Sequence, residues 1–289
     1  MIEAHTTMDF SEIFEPLQKF FGVFFRFDIM QQAFPIVAKA FPVSVMLGLL
    51  GFMLAIPLGL LLAFMKMSKN KLVKWPTTAY IDIVRGTPLA LQILILYFGM
   101  PLLPYYAQLT GPLQSIKFLG IDMTVFARGI LILSFNSSAY LAEIFRAGIQ
   151  SIPKGQMEAA RSLGLTVPKA MAFVILPQTV RRILPTAMSE FILLFKDTAL
   201  FAAVSVMEMT LAAKTIAGRS FNQSSYIVAA FFYLLITIPL GRLVSMLENK
   251  LAESEGSGGV SGKRPPRLRG MNSTHVVPHI ESVLDTQER

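Results

Sequence analysis

Several polar and charged side chains of this sequence stand inside apolar stretches, where a charge is costly unless something compensates it. Asn136, Tyr140 and Glu143 are spaced i, i+4 and i+7, so they share one face of a helix. Lys196 and Asp197 interrupt a second apolar stretch. A charge in such surroundings must meet water, an opposite charge or a ligand. These side chains are therefore candidates for lining a polar path.

Structural pairing is the alternative for each charged group. Glu143 can pair with Arg146, one helical turn later, and the sequence favours this pairing over contact with a ligand. Lys196 and Asp197 can form a pair between helices or belong to a path, and the sequence does not decide between these two roles.

The elements that carry these residues have the composition of membrane helices. The chain is 53% hydrophobic and only 15% charged, whereas soluble domains average roughly 25% charge. No charge occurs within 40–65, 86–116 or 220–241. Each run exceeds the roughly 20 apolar residues that a helix needs to cross a bilayer. We therefore predict an integral membrane protein.

The predicted fold is all-α, with about five transmembrane helices. The spans are placed near residues 40–65, 86–106, 124–146, 184–207 and 224–247. The third and fourth are the least apolar, and we retain them because intramembrane charges are tolerated when they face a protein interior or water. Residues 1–37 are predicted to be extracytoplasmic or interfacial, with one interfacial helix over 20–34. Residues 252–289 are predicted to form a disordered cytoplasmic tail.

Loop charges predict the orientation. The loop over 66–74 contains four lysines and no acid, and the segment over 146–182 carries six basic residues against one acid. Both are expected in the cytoplasm, which places the amino terminus outside and the carboxyl terminus inside. No cleavable signal peptide is expected, because the first ten residues are acidic rather than basic.

The segment between the third and fourth spans is predicted to form a rigid knob of two short helices. The first covers Gln156 to Leu163 and ends at Gly164, and the second follows Thr166 and stops at Pro177. A protruding helical knob suits a groove on a partner protein.

This knob carries a family resemblance. Glu158-Ala159-Ala160, Gly164 and the run Val174-Ile175-Leu176-Pro177 resemble the EAA loop of bacterial ABC-importer permeases, which has isoleucine where Val174 stands. The stretches 80–88, 140–146 and 196–200 resemble the polar amino-acid uptake branch of that family, although Ala199 replaces its usual serine. The resemblance covers about residues 38–251, with the EAA loop at about 151–183.

The resemblance implies a type I ABC-importer permease in a bacterial inner membrane. Its coupling helix, marked by Glu158, Ala159, Ala160, Gly164 and Pro177, would dock on an ATP-binding subunit. The implied partners are two ATP-binding subunits, a second permease chain, either identical or a sister, and an extracytoplasmic amino-acid-binding protein. ATP would be bound by the partner, so this chain would hold no catalytic residue and no cofactor.

The implied substrate is a polar amino acid, which has an ammonium group and a carboxylate. Fixed charges of both signs could hold such a molecule. The path candidates are Asn136, Tyr140, Glu143, Lys196 and Asp197.

Other functions are less compatible with the sequence. Cysteine is absent and the three histidines lie in the polar ends, so no metal site is predicted. The net charge of +8 is assigned to cytoplasmic loops and contact with membrane lipid rather than to nucleic acid. An ion-coupled secondary transporter or channel subunit is the main alternative, but such proteins commonly show two related halves, which this sequence lacks. A membrane scaffold would leave Lys196 and Asp197 without a reason to lie mid-membrane.

Overall fold

The structure, a computed structural model, describes residues 10–113 and 115–258. Its helices are α1 (Phe10–Phe24), α2 (Phe27–Lys66), α3 (Lys71–Gly86), α4 (Leu89–Gly99), α5 (Pro104–Thr110), α6 (Met123–Ser151), α7 (Lys154–Ser162), α8 (Val167–Ala170), α9 (Leu176–Asp197), α10 (Met209–Ser220) and α11 (Ser224–Gly258). Strands β1 (Lys117–Phe118) and β2 (Ile121–Asp122) form an antiparallel hairpin. Apart from this hairpin, the described chain confirms the predicted helical class.

Helices α2 and α6 run parallel and touch at glycines. A Cβ atom added at Gly51 would lie 2.9 Å from Cβ of Leu133, and one added at Gly59 would lie 2.7 Å from Cβ of Leu141. Both contacts advance by the same number of residues along the two helices, which defines a parallel register. A residue without a side chain is required where two backbones approach this closely.

Helix α9 runs antiparallel to α6 and packs against both long helices. Gly148, near the end of α6, contacts Ile183 near the start of α9. Ser137, earlier on α6, hydrogen-bonds Glu190, later on α9. Gly48 of α2 lies against Phe195. The three helices α2, α6 and α9 therefore form the frame that positions the polar residues.

A bend of 112° separates α3 from α4. Thr87 is extended, with φ −118° and ψ 145°, because the ring of Pro88 disfavours helical geometry in the preceding residue. The side-chain amide of Gln92 donates to the carbonyl oxygens of Val84 at 2.7 Å and Thr87 at 3.1 Å. These bonds satisfy acceptors that the break leaves without helical partners.

Helix α6 begins at a carboxylate cap. Asp122 Oδ1 accepts hydrogen bonds from the hydroxyl of Thr124 at 2.8 Å and from its amide at 2.9 Å. Both bonds favour the ionised form and lower the pKa of Asp122. A negative charge at the amino end of a helix also interacts favourably with the helix dipole.

The predicted number of five spans is not confirmed. Among the described residues, three segments are long and apolar enough to cross a membrane, namely Phe14–Lys66, Met123–Ser151 and Ser224–Ala252. A fourth arises if α3 and α4 count as one bent span. Helix α9 is not among these segments, because its five charged residues make its composition too polar by the same measure of apolarity.

Some local predictions are wrong. The second helix of the knob does not stop at Pro177, which instead lies in the first turn of α9, where a missing N–H is tolerated. The preceding turn, Met171–Ile175, is π-helical and joins α8 to α9. The segment 20–34 is not one interfacial helix, because α1 ends at Phe24 and α2 begins at Phe27.

The predicted fourth span and tail also need correction. The span over 184–207 begins earlier, at Leu176, and changes at Thr198 into a 3-10 helix that ends at Val204. Helix α11 continues to Gly258, into the predicted disordered tail. The remainder of that tail prediction lies outside the described residues.

The loop between α10 and α11 is tied to the end of α1. The Asn222 side-chain amide donates to the carbonyl oxygen of Gly22 at 2.9 Å, and the Gln223 backbone amide donates to that of Val23 at 3.0 Å. These bonds satisfy carbonyls at the carboxyl end of a helix. They also place the start of α2 and the start of α11 at the same end of the molecule.

Candidate functional site

A polar groove lies where the inner face of α6 meets α9. Ser137 Oγ donates a hydrogen bond of 2.8 Å to Glu190 Oε1. Tyr140 follows on the same helix, and the guanidinium of Arg85, at the end of α3, lies 5.4 Å from the centre of its ring. Asp197 follows Glu190 on α9 at i+7, so the two carboxylates share one side of that helix. The groove therefore gathers charges of both signs from α3 and α9.

A cavity of about 470 Å³ opens beside Tyr140. Small-molecule sites typically have volumes of about 300–1,000 Å³. The polar side chains of its lining include Arg85, Tyr140, Glu143, Arg146, Arg182 and Thr186. The sequence analysis placed Tyr140 and Glu143 together, and the structure brings three arginines to them.

Glu143 is held between two cations. Lys66 Nζ lies 2.6 Å from one carboxylate oxygen, and Arg146 Nη2 lies 2.7 Å from the other. The pairing of Glu143 with Arg146 is the one that the sequence favoured. Lys66 was not foreseen, because it lies 77 residues away on α2. The proposed role of Glu143 in a path stays a prediction.

Asn136 has a partner outside the groove. Its side-chain amide donates to Gln92 Oε1 on α4 at 2.9 Å, and the residue is buried. Gln92 in turn holds the bend between α3 and α4. The contact gives Asn136 a structural function in addition to the predicted place on the path.

Asp197 lies at the end of α9 with its side chain partly buried, while the side chain of Lys196 is exposed. Within the described part of the chain, neither side chain forms an ion pair or a hydrogen bond. The pair between helices that we considered for these residues is therefore not seen among the described contacts.

Glu208 was missed by the sequence analysis. Its side chain is fully buried at the start of α10, where it accepts hydrogen bonds from the amides of Thr210 at 2.8 Å and Leu211 at 2.7 Å. The hydroxyl of Tyr233 on α11 donates a third bond of 3.1 Å. A glutamate before Met-Thr-Leu could have indicated a helix cap, but Ser, Thr, Asp and Asn are the usual caps.

Arg85 and Arg182 were also missed as site residues. Arg85 was considered as part of a family motif, and Arg182 as a loop charge that sets orientation. Arg182 Nη1 donates to the carbonyl oxygen of Ser151 at 2.7 Å, which joins α9 to the end of α6. No local sequence pattern predicts that either residue lies near Tyr140.

The second functional candidate is the knob, formed by α7, α8 and the π-helical turn. Helix α7 ends in a Schellman motif, in which the amide of Gly164 binds the Arg161 carbonyl at 3.0 Å and the amide of Leu165 binds the Ala160 carbonyl at 3.2 Å. Gly164 has φ +86°, a conformation that favours glycine. The predicted sharp turn at Gly164 is confirmed.

The base of the knob is buried against the long helices. Ile149 and Ile152 at the end of α6 pack with Ile175 of the π-helical turn, and Phe64 and Met67 at the end of α2 pack against this cluster. The knob is thus attached to α2, α6 and α9 by apolar contacts.

The outer surface of the knob presents both charge and apolar area. Glu158 and Ala159 are exposed, whereas Ala160 is buried toward the base. The side chain of Leu163 is 85% exposed and that of Phe173 is 74% exposed. Exposed apolar residues at a protruding tip are typical of a surface that another protein covers.

Among the described residues, no cluster of three or more His, Asp or Glu side chains could hold a metal ion. The expectations that this chain has no cofactor and no metal remain predictions.

Comparison with known proteins gives consistent results. Residues 55–253 match the family model described as "Binding-protein-dependent transport system inner membrane component". The chain is 34% identical over 222 residues to the Bacillus subtilis protein named "Probable amino-acid ABC transporter permease protein YckA". This alignment covers 76% of this chain and 91% of the relative. It is 33% identical to the Bacillus subtilis "L-cystine transport system permease protein TcyB", over 80% of this chain and 93% of the relative.

A solved structure gives the same correspondence. The chain superposes on one from the "Crystal structure of an amino acid ABC transporter with histidines", with a TM-score of 0.64 and 34% identity. The superposition covers 78% of this chain and 98% of that one.

Proposed function

Because this chain belongs to the family of binding-protein-dependent transport system inner membrane components, we propose that it is the permease subunit of an ATP-driven importer of polar amino acids. The observation that carries this proposal is the knob, a two-helix unit anchored on α2, α6 and α9. Its relatives YckA and TcyB bear the names of amino-acid and L-cystine permeases, which supports the substrate class.

The knob transmits the work of a separate ATPase. Glu158, Ala159 and Ala160 lie on α7, and the turn at Gly164 sets the direction of the following segment. Two ATP-binding subunits bind ATP and hydrolyse it, while this chain supplies the surface on which one of them docks. Displacement of the knob moves α2, α6 and α9 through its buried base and alternates the two open states of the path.

The groove between α6 and α9 forms part of the path. A polar amino acid is a zwitterion, and the groove offers Glu190 and Asp197 to its ammonium group and Arg85 to its carboxylate. Tyr140 and Glu143 line the cavity that Arg85 also lines, and Asn136 supports the neighbouring bend. A second permease chain, identical or sister, completes the path, and an extracytoplasmic binding protein delivers the substrate.

The orientation of the chain follows from its loop charges. The knob and the carboxyl terminus lie in the cytoplasm and the amino terminus lies outside a bacterial inner membrane. An ion-coupled secondary transporter would have no use for a docking surface of this kind.

Uptake by the purified and reconstituted transporter tests the proposal. The chain is co-expressed with an ATP-binding subunit and a binding protein from the same genome, and the proteoliposomes enclose ATP or ADP. We expect labelled L-glutamine, L-arginine or L-histidine to accumulate with ATP and not with ADP. Accumulation that follows an imposed sodium or proton gradient without ATP would contradict the proposal.

A further inference from the structure

The cavity beside Tyr140 is a positively charged chamber. Among the described lining residues one is acidic, Glu143, and both Lys66 and Arg146 form ion pairs with its carboxylate. The acid is thus compensated twice, and Arg85 adds a further positive charge to the lining. Such a chamber attracts anionic groups.

Arg85 is arranged to bind an oxyanion. Its guanidinium carbon lies over the Tyr140 ring, 5.4 Å from the centroid, which is a cation-π distance. A guanidinium has five N–H donors, and a carboxylate can accept two parallel hydrogen bonds from it. Arg85 is exposed rather than enclosed, so a solute in the cavity can reach it.

The acidic residues of α9 lie away from this cavity, with Asp197 next to the exposed Lys196, and Arg182 lies at the cavity. Asp197 and Glu190 occupy one part of the helix, and Thr186 and Arg182 at the cavity occupy the part nearer the knob. With a rise of about 1.5 Å per residue, Asp197 and Arg182 are about 20 Å apart along the helix. An ammonium group is favoured at the first position and a carboxylate at the second.

From this geometry we infer that the cavity is a binding site for the α-carboxylate of the transported amino acid, placed at the knob end of the path. Arg85 is the primary ligand, and Arg182 also lines the cavity. The inference rests on the proposed function, because it assigns this site to the same substrate. It adds a consequence: amino acid that has accumulated in the cytoplasm occupies the cavity and slows further import.

The test uses the reconstituted transporter with ATP and unlabelled amino acid enclosed in the lumen. Transporters whose ATPase side faces the lumen are the active ones, so the lumen represents the cytoplasm. The probe is whichever of L-glutamine, L-arginine and L-histidine is taken up, and its α-amide serves as the analogue without a carboxylate. We expect the lumenal amino acid to inhibit initial uptake and the α-amide to inhibit at least about tenfold more weakly.

Variants test whether the Arg85 side chain binds the carboxylate. Arg85→Gln is expected to raise the inhibitory concentration of lumenal amino acid about tenfold, and Arg85→Lys less than that, because lysine keeps the charge without the fork of donors. Arg181→Gln is the matched control, since Arg181 is exposed and lies outside the cavity lining. It should leave the inhibition unchanged.

The outcomes separate this inference from the proposed function. ATP-driven uptake without lumenal inhibition, or equal inhibition by acid and α-amide, would refute the carboxylate site and leave the importer intact. Failure of uptake with ATP would refute the function itself. Inorganic phosphate in the lumen, and vesicles with and without phosphatidylglycerol, test the other sources of an oxyanion. If the effect of Arg85→Gln occurs only with phosphatidylglycerol, the site belongs to lipid and the inference is wrong.

Discussion

At the scale of single residues, Asp197 combines partial burial with the absence of any ion pair among the described contacts. Lys196 is its neighbour in the chain, but the Lys196 side chain is exposed. A carboxylate in an apolar layer needs compensation. A passing ammonium group supplies that compensation, which favours a place on the path over a structural pair.

Asp197→Asn should therefore weaken transport while the assembled complex stays stable. The substitution keeps the shape and removes the charge, so we expect the initial rate of uptake to fall about tenfold or more. Basal ATP hydrolysis and the elution volume of the complex should not change. The double variant Asp197→Asn with Lys196→Met should not recover transport, and recovery would identify a structural pair instead.

Glu208 has the opposite character, because all of its described partners are structural. Glu208→Ala removes the acceptor of three hydrogen bonds at a buried helix start, and should lower the free energy of unfolding in detergent by about 1–3 kcal/mol. Glu208→Gln keeps an acceptor oxygen and should lose less. Glu248→Ala, on the exposed side of α11, is the control. A loss of transport without a loss of stability would contradict this structural assignment.

At the scale of elements, the turn that ends α7 is set by backbone conformation rather than by packing. A Cβ atom added at Gly164 would meet nothing within 4 Å, yet φ is +86°. The cost of a side chain there is conformational strain. The direction of the knob therefore depends on this one glycine.

Gly164→Ala should uncouple the knob from the ATP-binding subunit, because a positive φ costs alanine about 1 kcal/mol more than it costs glycine. We expect reduced transport and reduced stimulation of ATP hydrolysis by substrate, with normal insertion into the membrane. Gly155→Ala is a matched control, since Gly155 lies on α7 and is equally uncrowded. Equal activity of the two variants would remove the assigned role of the turn.

Elements also show where prediction from sequence succeeds and where it fails. The helix before Gly164 and the turn at that residue follow from local preferences, and both are present. Because proline lacks an N–H, the sequence predicts that a helix stops at Pro177. The structure instead has a π-helical turn before Pro177 and places this residue in the first turn of α9, where that donor is not needed. The bend at Thr87 and Pro88 depends on Gln92, whose contacts no local pattern reveals.

At the scale of the whole molecule, the helix directions bring the two basic segments, 66–74 and 146–182, to the same end. Helices α2 and α6 run parallel and α9 runs antiparallel against both, so the ends of α2 and α6 and the start of α9 meet at the base of the knob. The starts of α2 and α11 lie together at the other end. One side of the membrane therefore carries the knob and the opposite side carries the tied loop.

Single-cysteine labelling tests this arrangement without background, because the chain contains no cysteine. Ser162→Cys, on α7, should react with an impermeant maleimide in inside-out vesicles and not in intact spheroplasts. Gln108→Cys, exposed on α5 beyond α4, should react in spheroplasts. Labelling of Ser162→Cys from outside would reverse the proposed orientation.

Long-range contacts account for most of what the sequence did not predict. Hydropathy indicated the membrane class, yet it could not indicate that Lys66 reaches Glu143 or that Arg85 reaches Tyr140. Both contacts join residues of different helices, and their partners are chosen by packing. The count of five spans is not confirmed for a related reason, since α9 carries five charged residues, of which Glu190 contacts α6.

The tie between α1 and the loop before α11 has a consequence for biosynthesis. Asn222 binds the carbonyl oxygen of Gly22 across 200 residues of sequence. At about 5–20 residues per second, a ribosome needs roughly 10–40 s to add that length. During this interval the end of α1 must satisfy its carbonyl oxygens with water. The carboxyl end of α1 is therefore completed only after the segment through Asn222 has been synthesised, and closure of this tie marks a chain in which the loop before α11 has reached α1.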